Sequence, residues 1–295
     1  MDGKLQGSIL VLASAVCYGL QPIFAQFAYN DGAQVTALLF VRFSLAFLIL
    51  GAILGLRGKL SLPDRRTLIV LAGLGGIGYF LQSTFYFNAL LYVPISVVVL
   101  VLYTYPAFVT GLSFALGFER MSRRVILALA LALTGLVLVA GPILNLSPIG
   151  VLLSLGAALV YTTYILVSSR WLKRTSGEVS TFYVTGTAAL SFAIFGTITG
   201  GLGITWSQGA WLWVLLIIVV STVMALSLFF AGLKRIGPSR SSILSTAELV
   251  TSVTAAFVVF GEALSPEQVA GGVLIVAAAF LTALRGKHHE EHLSQ

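Results

Sequence analysis

Apolar runs long enough to cross a bilayer as a helix, which takes about 20 residues, recur ten times along the chain, at 6–28, 35–55, 67–88, 95–117, 124–141, 149–169, 179–199, 211–232, 239–260 and 268–284. Polar residues inside these runs fall at helical spacing. Span 3 carries Tyr79, Gln82, Ser83 and Tyr86; span 1 carries Ser14, Tyr18 and Gln21; span 4 carries Ser96, Tyr103 and Thr110; span 6 carries Ser154, Tyr161 and Tyr164. Span 9 places Ser241, Ser245, Glu248 and Ser252 on one face. Spans 5 and 10 have almost no such stripe, which suits a place against lipid. The alternating segments of about ten residues that build a transmembrane barrel are absent. The pattern predicts an all-α polytopic membrane protein whose spans 1, 3, 4, 6 and 9 line a polar interior.

The pattern also repeats. A shift of 143 positions lays Ser96–Glu119 on Ser239–Glu262 and brings Phe114 onto Phe257, Glu119 onto Glu262 and Ser122 onto Ser265. The same shift brings Gly7 onto Gly150, Leu10 onto Leu153, Tyr18 onto Tyr161, Phe87 onto Phe230 and Leu90 onto Leu233. One offset over most of the chain predicts an internal duplication, with a five-span unit over 1–145 and a second over 146–295. By symmetry with span 3, span 8 (Ser221, Thr222, Ser227) joins the lining.

Composition sharpens the class. Of 295 residues 58% are hydrophobic and 9% are charged, against about 25% charged in soluble domains. The net charge of +7 suggests nucleic acid until the charges are placed. With the N-terminus in the cytoplasm, 16 of the 17 basic residues fall in cytoplasmic loops or tails, and the opposite loops have none. That is the positive-inside rule, and it excludes a nucleic-acid footprint. An odd number of spans per unit then makes the two units inverted relative to each other. Ten transmembrane helices as a 5+5 inverted repeat are a hallmark of secondary transporters. The chain is expected in the cell inner membrane with both termini cytoplasmic. Ala13-Ser14-Ala15 mimics a signal-peptidase site, but the segment reads as a retained first span.

Two ionisable residues lie within spans. A charge there costs roughly 2.5–3.5 kcal/mol on insertion scales, so it faces protein or water. Glu248 either takes up a proton or holds a cationic solute group, or it pairs with Arg42. Arg42, about 10 Å into span 2 by helix rise, serves structure or gating, or binds a solute carboxylate. The serines and threonines read equally as interhelical hydrogen bonds. The candidate lining is Tyr18, Gln21, Tyr79, Gln82, Ser83, Tyr86, Tyr103, Tyr161, Tyr164, Ser245 and Glu248, with Glu248 and Arg42 as coupling or gating groups. Its aromatic content suits an amphipathic solute or a cation held over ring faces.

Other motifs carry less. Gly73-Leu74-Gly75-Gly76-Ile77-Gly78 matches a dinucleotide fingerprint but lies in an apolar span with no strand before it; close helix packing is the expected role, as for Gly51-x-x-x-Gly55. No histidine occurs outside the tail, where His288, His289 and His292 lie. No catalytic site, metal site or cofactor is expected. Cys17 has no intrachain partner.

Val41-Arg42-Phe43, Tyr105-Pro106, Glu119-Arg120-Met121-Ser122, Ala247-Glu248-Leu249 and Gly261-Glu262-Ala263-Leu264-Ser265, in this order and duplicated, resemble the drug/metabolite transporter superfamily, specifically the EamA-type ten-span transporters. The likeness covers about residues 6 to 284. The family pattern commonly has Glu-Pro where this chain has Glu248-Leu249. The resemblance implies a cavity between two inverted halves and transport of small metabolites, often amino-acid export. It also implies structural roles for Glu119 and Glu262, as caps of the next helix at Ser122 or Ser265. The expected function is a secondary transporter, an exporter of small polar metabolites such as amino acids, with alternating access and coupling to protons. The alternatives are an uncoupled facilitator or exchanger of amphipathic or cationic small molecules, and a non-transporting membrane sensor or assembly partner. The expected partners are a small-molecule solute, protons and the lipid bilayer.

Overall fold

The computed structural model describes residues 3–116, 123–140, 146–171, 175–236, 244–245 and 247–283. Among these there is no strand. The helices are α1 (Gly3–Gly19), α2 (Gln21–Asn30), α3 (Val35–Leu56), α4 (Arg65–Gly73), α5 (Phe80–Ala89), α6 (Ile95–Leu102), α7 (Tyr105–Ala115), α8 (Arg123–Ala140), α9 (Pro148–Trp171), α10 (Gly177–Thr199), α11 (Gln208–Ile218), α12 (Ala225–Ile236), α13 (Ala247–Phe260) and α14 (Pro266–Ala283).

Among the described residues six segments are long and apolar enough to cross a membrane: Leu5–Asn30, Val35–Leu56, Arg65–Ala89, Pro148–Ser168, Gly177–Thr199 and Gln208–Phe229. Where four more spans were expected, the described residues hold shorter apolar helices, Ile95–Val109, Leu129–Leu138, Ala247–Phe260 and Pro266–Ala278. Six of the ten expected spans are thus matched by helices of crossing length among the described residues, and Ser241 with its neighbours lies outside the described residues. Span 4 is short for a stated reason. Pro106 has no N–H to give Leu102, the last residue of α6, and the chain breaks at Tyr103 and Thr104. Span 1 breaks the same way: Pro22 stands in the first turn of α2, and α1 ends at Gly19.

Spans 3 and 8 are irregular in another way. Each contains one π-helical stretch, Leu74–Tyr79 and Val219–Met224. Such turns widen the helix locally and are frequent at functional sites. In the first of them the glycine-rich run does what was expected of it. A Cβ on Gly75 would overlap the carbonyl of Val184 and the hydroxyl of Thr187 on α10. Next to it, Ser191 Oγ donates to the Gly76 carbonyl at 2.8 Å.

The packing partners follow the duplication. α1 lies along α12 and α5 along α9; α1 also meets α13, and α9 meets α6 and α7. α3 packs on α10, α6 on α13, and α8 on α14. Exchanging each span for its counterpart five spans away leaves this set of pairs unchanged. Where α1 meets α13, a Cβ on Gly19 would lie 2.8 Å from the Glu248 carbonyl.

Glycines at these crossings are testable. Gly75→Ala forces backbone apart and is expected to destabilise the protein by about 1–3 kcal/mol, read as a lower unfolding midpoint in detergent. Gly73→Ala, with nothing within 4 Å of its added carbon, should leave the midpoint unchanged or raise it.

Candidate functional site

The site grows from Arg42, which is 2% exposed in the middle of α3. A guanidinium buried this far needs partners for its N–H groups. Nε donates to Thr222 Oγ1 at 3.1 Å, and Nη2 donates to Gln21 Oε1 at 2.8 Å. The rings of Phe43 and Phe87 lie 5.1 and 5.3 Å from the guanidinium carbon, within cation–π reach. Thr222 in turn donates its own proton to the Ile217 carbonyl five residues back, at 2.9 Å, a spacing that belongs to its π-helical turn. Spans 1, 2 and 8 thus meet at one cation.

The opposite charge is Glu248, partly buried in the first turn of α13. Its carboxylate sits beside the hydroxyl of Tyr103. That hydroxyl donates to the Ser245 carbonyl at 3.2 Å. The alternative of an Arg42–Glu248 pair is not what the fold builds: Arg42 is held by Gln21 and Thr222, and among the described residues no ion pair joins the two. Tyr18 and Tyr86 are close enough to interact electrostatically with both groups.

Tyrosines connect the rest. Ring centroids run Tyr103 to Tyr105 at 5.9 Å, Tyr105 to Tyr161 at 4.8 Å, Tyr161 to Tyr164 at 6.1 Å and Tyr164 to Tyr79 at 5.7 Å. Tyr79 meets Phe43 at 5.3 Å, beside Arg42. Aromatic contacts therefore lead from the acid to the base through spans 4, 6, 3 and 2. Tyr18, Tyr79, Tyr105, Tyr161 and Tyr164 remain partly accessible, while Tyr86 and Tyr103 are buried. Tyr18 and Tyr103 stand at helix breaks, and Tyr79 closes a π-helical turn. There the backbone departs from α-helical packing.

Several expected residues sit elsewhere. Ser83 is buried with its hydroxyl 3.4 Å from Gln82 Oε1. Ser245 contributes its carbonyl to Tyr103. Ser14 donates to the Ala225 carbonyl, Ser221 to Cys17 and Ser252 to Gly19, so these three join helices. Ser227 is exposed and bonds the Val223 carbonyl of its own span. Tyr105 and Phe87 were not among the expected lining residues, while Thr222, expected in the lining contributed by span 8, bonds Arg42. Tyr105 carried one signal, since the shift of 143 lays it on Glu248.

The two ends of the bundle differ. At the end without basic loops, Trp213 stacks on Phe27 at 4.4 Å and donates Nε1 to Asp31 Oδ2 at 2.9 Å, and Phe27 also meets Phe260. At the basic end, a crevice of about 440 Å³ opens among Arg57, Glu178, Met224, Leu228 and Arg235.

Comparison with known proteins gives a consistent picture. The model of the EamA-like transporter family matches the chain twice, over residues 5–141 and 148–284. An uncharacterized transporter of Archaeoglobus fulgidus is 31% identical over 280 residues, covering 93% of this chain and 95% of that protein. The uncharacterized transporter YcbK of Bacillus subtilis is 27% identical, covering 92% of this chain and 91% of its own. A protein of known crystal structure superposes with a TM-score of 0.66 at 21% identity, over 96% of this chain and 98% of its own, a likeness of fold.

The partners of Arg42 can be tested by removal. Gln21→Leu or Thr222→Val leaves a buried charged N–H unpaired, and each is expected to destabilise by about 1–3 kcal/mol. Ser227→Ala should stay within about 0.5 kcal/mol. Thermal unfolding of the purified variants reads both.

Proposed function

The chain belongs to the EamA-like transporter family, and from that premise we propose that it moves a small zwitterionic metabolite, such as an amino acid, between its two five-span units. One observation carries this reading. Arg42 and Glu248 have opposite charge, share the tyrosine neighbours Tyr18 and Tyr86, and are not paired with each other. Two such groups left apart inside a membrane protein are costly, and a solute with one carboxylate and one ammonium group would compensate both at once. Tyr79, Gln82, Tyr105, Tyr161 and Tyr164 would wall the space between them.

The units are residues 1–145 and 146–295, inverted in the membrane, with both termini in the cytoplasm and the inner membrane as location. The interchangeable packing pairs and the two π-helical turns support an exchange of roles between the halves, which is how inverted repeats alternate access. The aromatic closure at one end and the crevice at the other fit a form facing the cytoplasm, from which an exporter loads. Glu248 is the coupling group: it holds either a proton or the solute ammonium. An uncoupled facilitator of amphipathic cations is the second reading, favoured by the cluster of tyrosine rings, whose faces can hold a cation.

The test is uptake of labelled amino acids and amines into proteoliposomes, with and without an imposed pH gradient. The wild type should accumulate solute against its gradient. Glu248→Gln should only equilibrate it, with accumulation down at least tenfold by order of magnitude. Identical pH-driven accumulation in the variant would remove Glu248 from coupling.

A further inference from the structure

α6 has eight residues, and by helix rise about 12 Å of length. Residues Ile95 to Val101 are all buried, so it behaves as a short rod inside the bundle. Both of its ends are held by span 9. At the N-terminal end the Glu262 carboxylate accepts from the Ile95 N–H, the Ser96 N–H and the Ser96 hydroxyl, each at 3.0 Å. These are the orphan donors of a helix start, where negative charge is favoured, and Pro94 before them has no N–H to offer. At the other end Tyr103, the residue after α6, donates to the Ser245 carbonyl beside Glu248.

The position of Glu262 is itself built. α13 ends in an αL C-cap: the Gly261 N–H bonds Phe257 O at 3.0 Å and Gly261 has φ of 68°, while the Glu262 N–H reaches Ala256 O at 3.4 Å. The turn delivers the carboxylate to α6, 166 residues away in sequence. It does not cap the next helix, as its family position suggested. The Ser265 N–H bonds Gln268 Oε1 instead, and the Ser265 hydroxyl donates to Glu267.

We infer that Glu262 and Tyr103 are positioning residues that clamp α6 to span 9 at both ends, so that the closed end of the bundle and the Glu248 site open and fill as one coupled step. The inference rests on the transporter reading for its direction and on these bonds for its geometry. α6 is too short and too buried to bend, so span 9 cannot separate from span 4 at the Glu262 end without loading the Tyr103 end. A proton or ammonium arriving at Glu248 acts on the Tyr103 contact and is felt 12 Å away by the same rise. A cap that merely stabilised α6 would not link the two.

Solute-free labelling separates these cases. The reporter is Leu90→Cys in a Cys17→Ser background, since Leu90 is 4% exposed and packs in the same core as Ile95. A membrane-impermeant maleimide should label it slowly in the parent and about tenfold faster with Glu262→Gln, which keeps the size and loses the charge. Glu267→Gln, in the first turn of α14, should change nothing. Tyr103→Phe should also speed labelling, and the double variant should fall short of the product of the two effects. If Glu262→Gln does not fold, Ser96→Ala removes one of the three bonds and takes its place. A lower unfolding temperature with unchanged labelling would reduce Glu262 to a structural cap, and effects that multiply independently would break the coupling. Because no solute is needed, absence of transport in every assay leaves this test intact.

Discussion

A cation buried in an apolar helix has to find its hydrogen bonds inside the protein, and the arrangement around Arg42 follows from that need. Neutral partners come from two other spans, Gln21 and Thr222, and two phenylalanine rings cover its faces. Thr222 accepts from Arg42 while donating its own proton to the Ile217 carbonyl across the π-helical turn. Glu248 is supported in the same spirit by Tyr103. Each charge is solvated by dipoles and left without a countercharge. In a low-dielectric interior an ion pair would neutralise both, so keeping them apart leaves a place for a ligand to do so.

The irregular backbone serves the same end. Prolines 22 and 106 interrupt spans 1 and 4 beside Tyr18 and Tyr103, and the two π-helical turns bring Tyr79 and Thr222 into position. Non-helical backbone at membrane depth is tolerated where it lines a cavity or is buried in protein. Here it occurs at the four spans that surround the two charges. The regular helices α3 and α10, by contrast, pack along each other at close crossings such as Gly186 against Phe47.

Much of this was legible in the chain. Polar residues inside apolar spans are expensive, so Glu248, Arg42, Tyr79, Tyr161 and Tyr164 stand out at helical spacing, and the fold brings them into one connected set. The duplication was legible because one offset served the whole chain, and the family match falls on the same two halves. What stayed hidden depends on contacts across long stretches of sequence. Thr222 meets Arg42 across 180 residues, and nothing local marks a threonine as the acceptor for a distant arginine. For Ser14, Ser221 and Ser252 the sequence allowed interhelical bonding as well as lining, and they join helices. Glu262 was read as a local cap because its nearest helix start is four residues on, whereas the turn at Gly261 aims it at α6. The short helices of span 4 could not be told from apolar run length, which ignores where a break falls.

The account's central claim is that two separated, opposite charges are completed by a solute carrying both. Equilibrium binding to the purified protein tests it with three forms of one labelled amino acid: the free zwitterion, its amide without the carboxylate, and its N-acyl form without the ammonium. The account predicts that the zwitterion binds and that each modified form binds more weakly, with Arg42→Gln erasing the penalty for the amide and Glu248→Gln the penalty for the N-acyl form. Equal binding of all three forms would contradict it, because the charges would then be serving the fold alone.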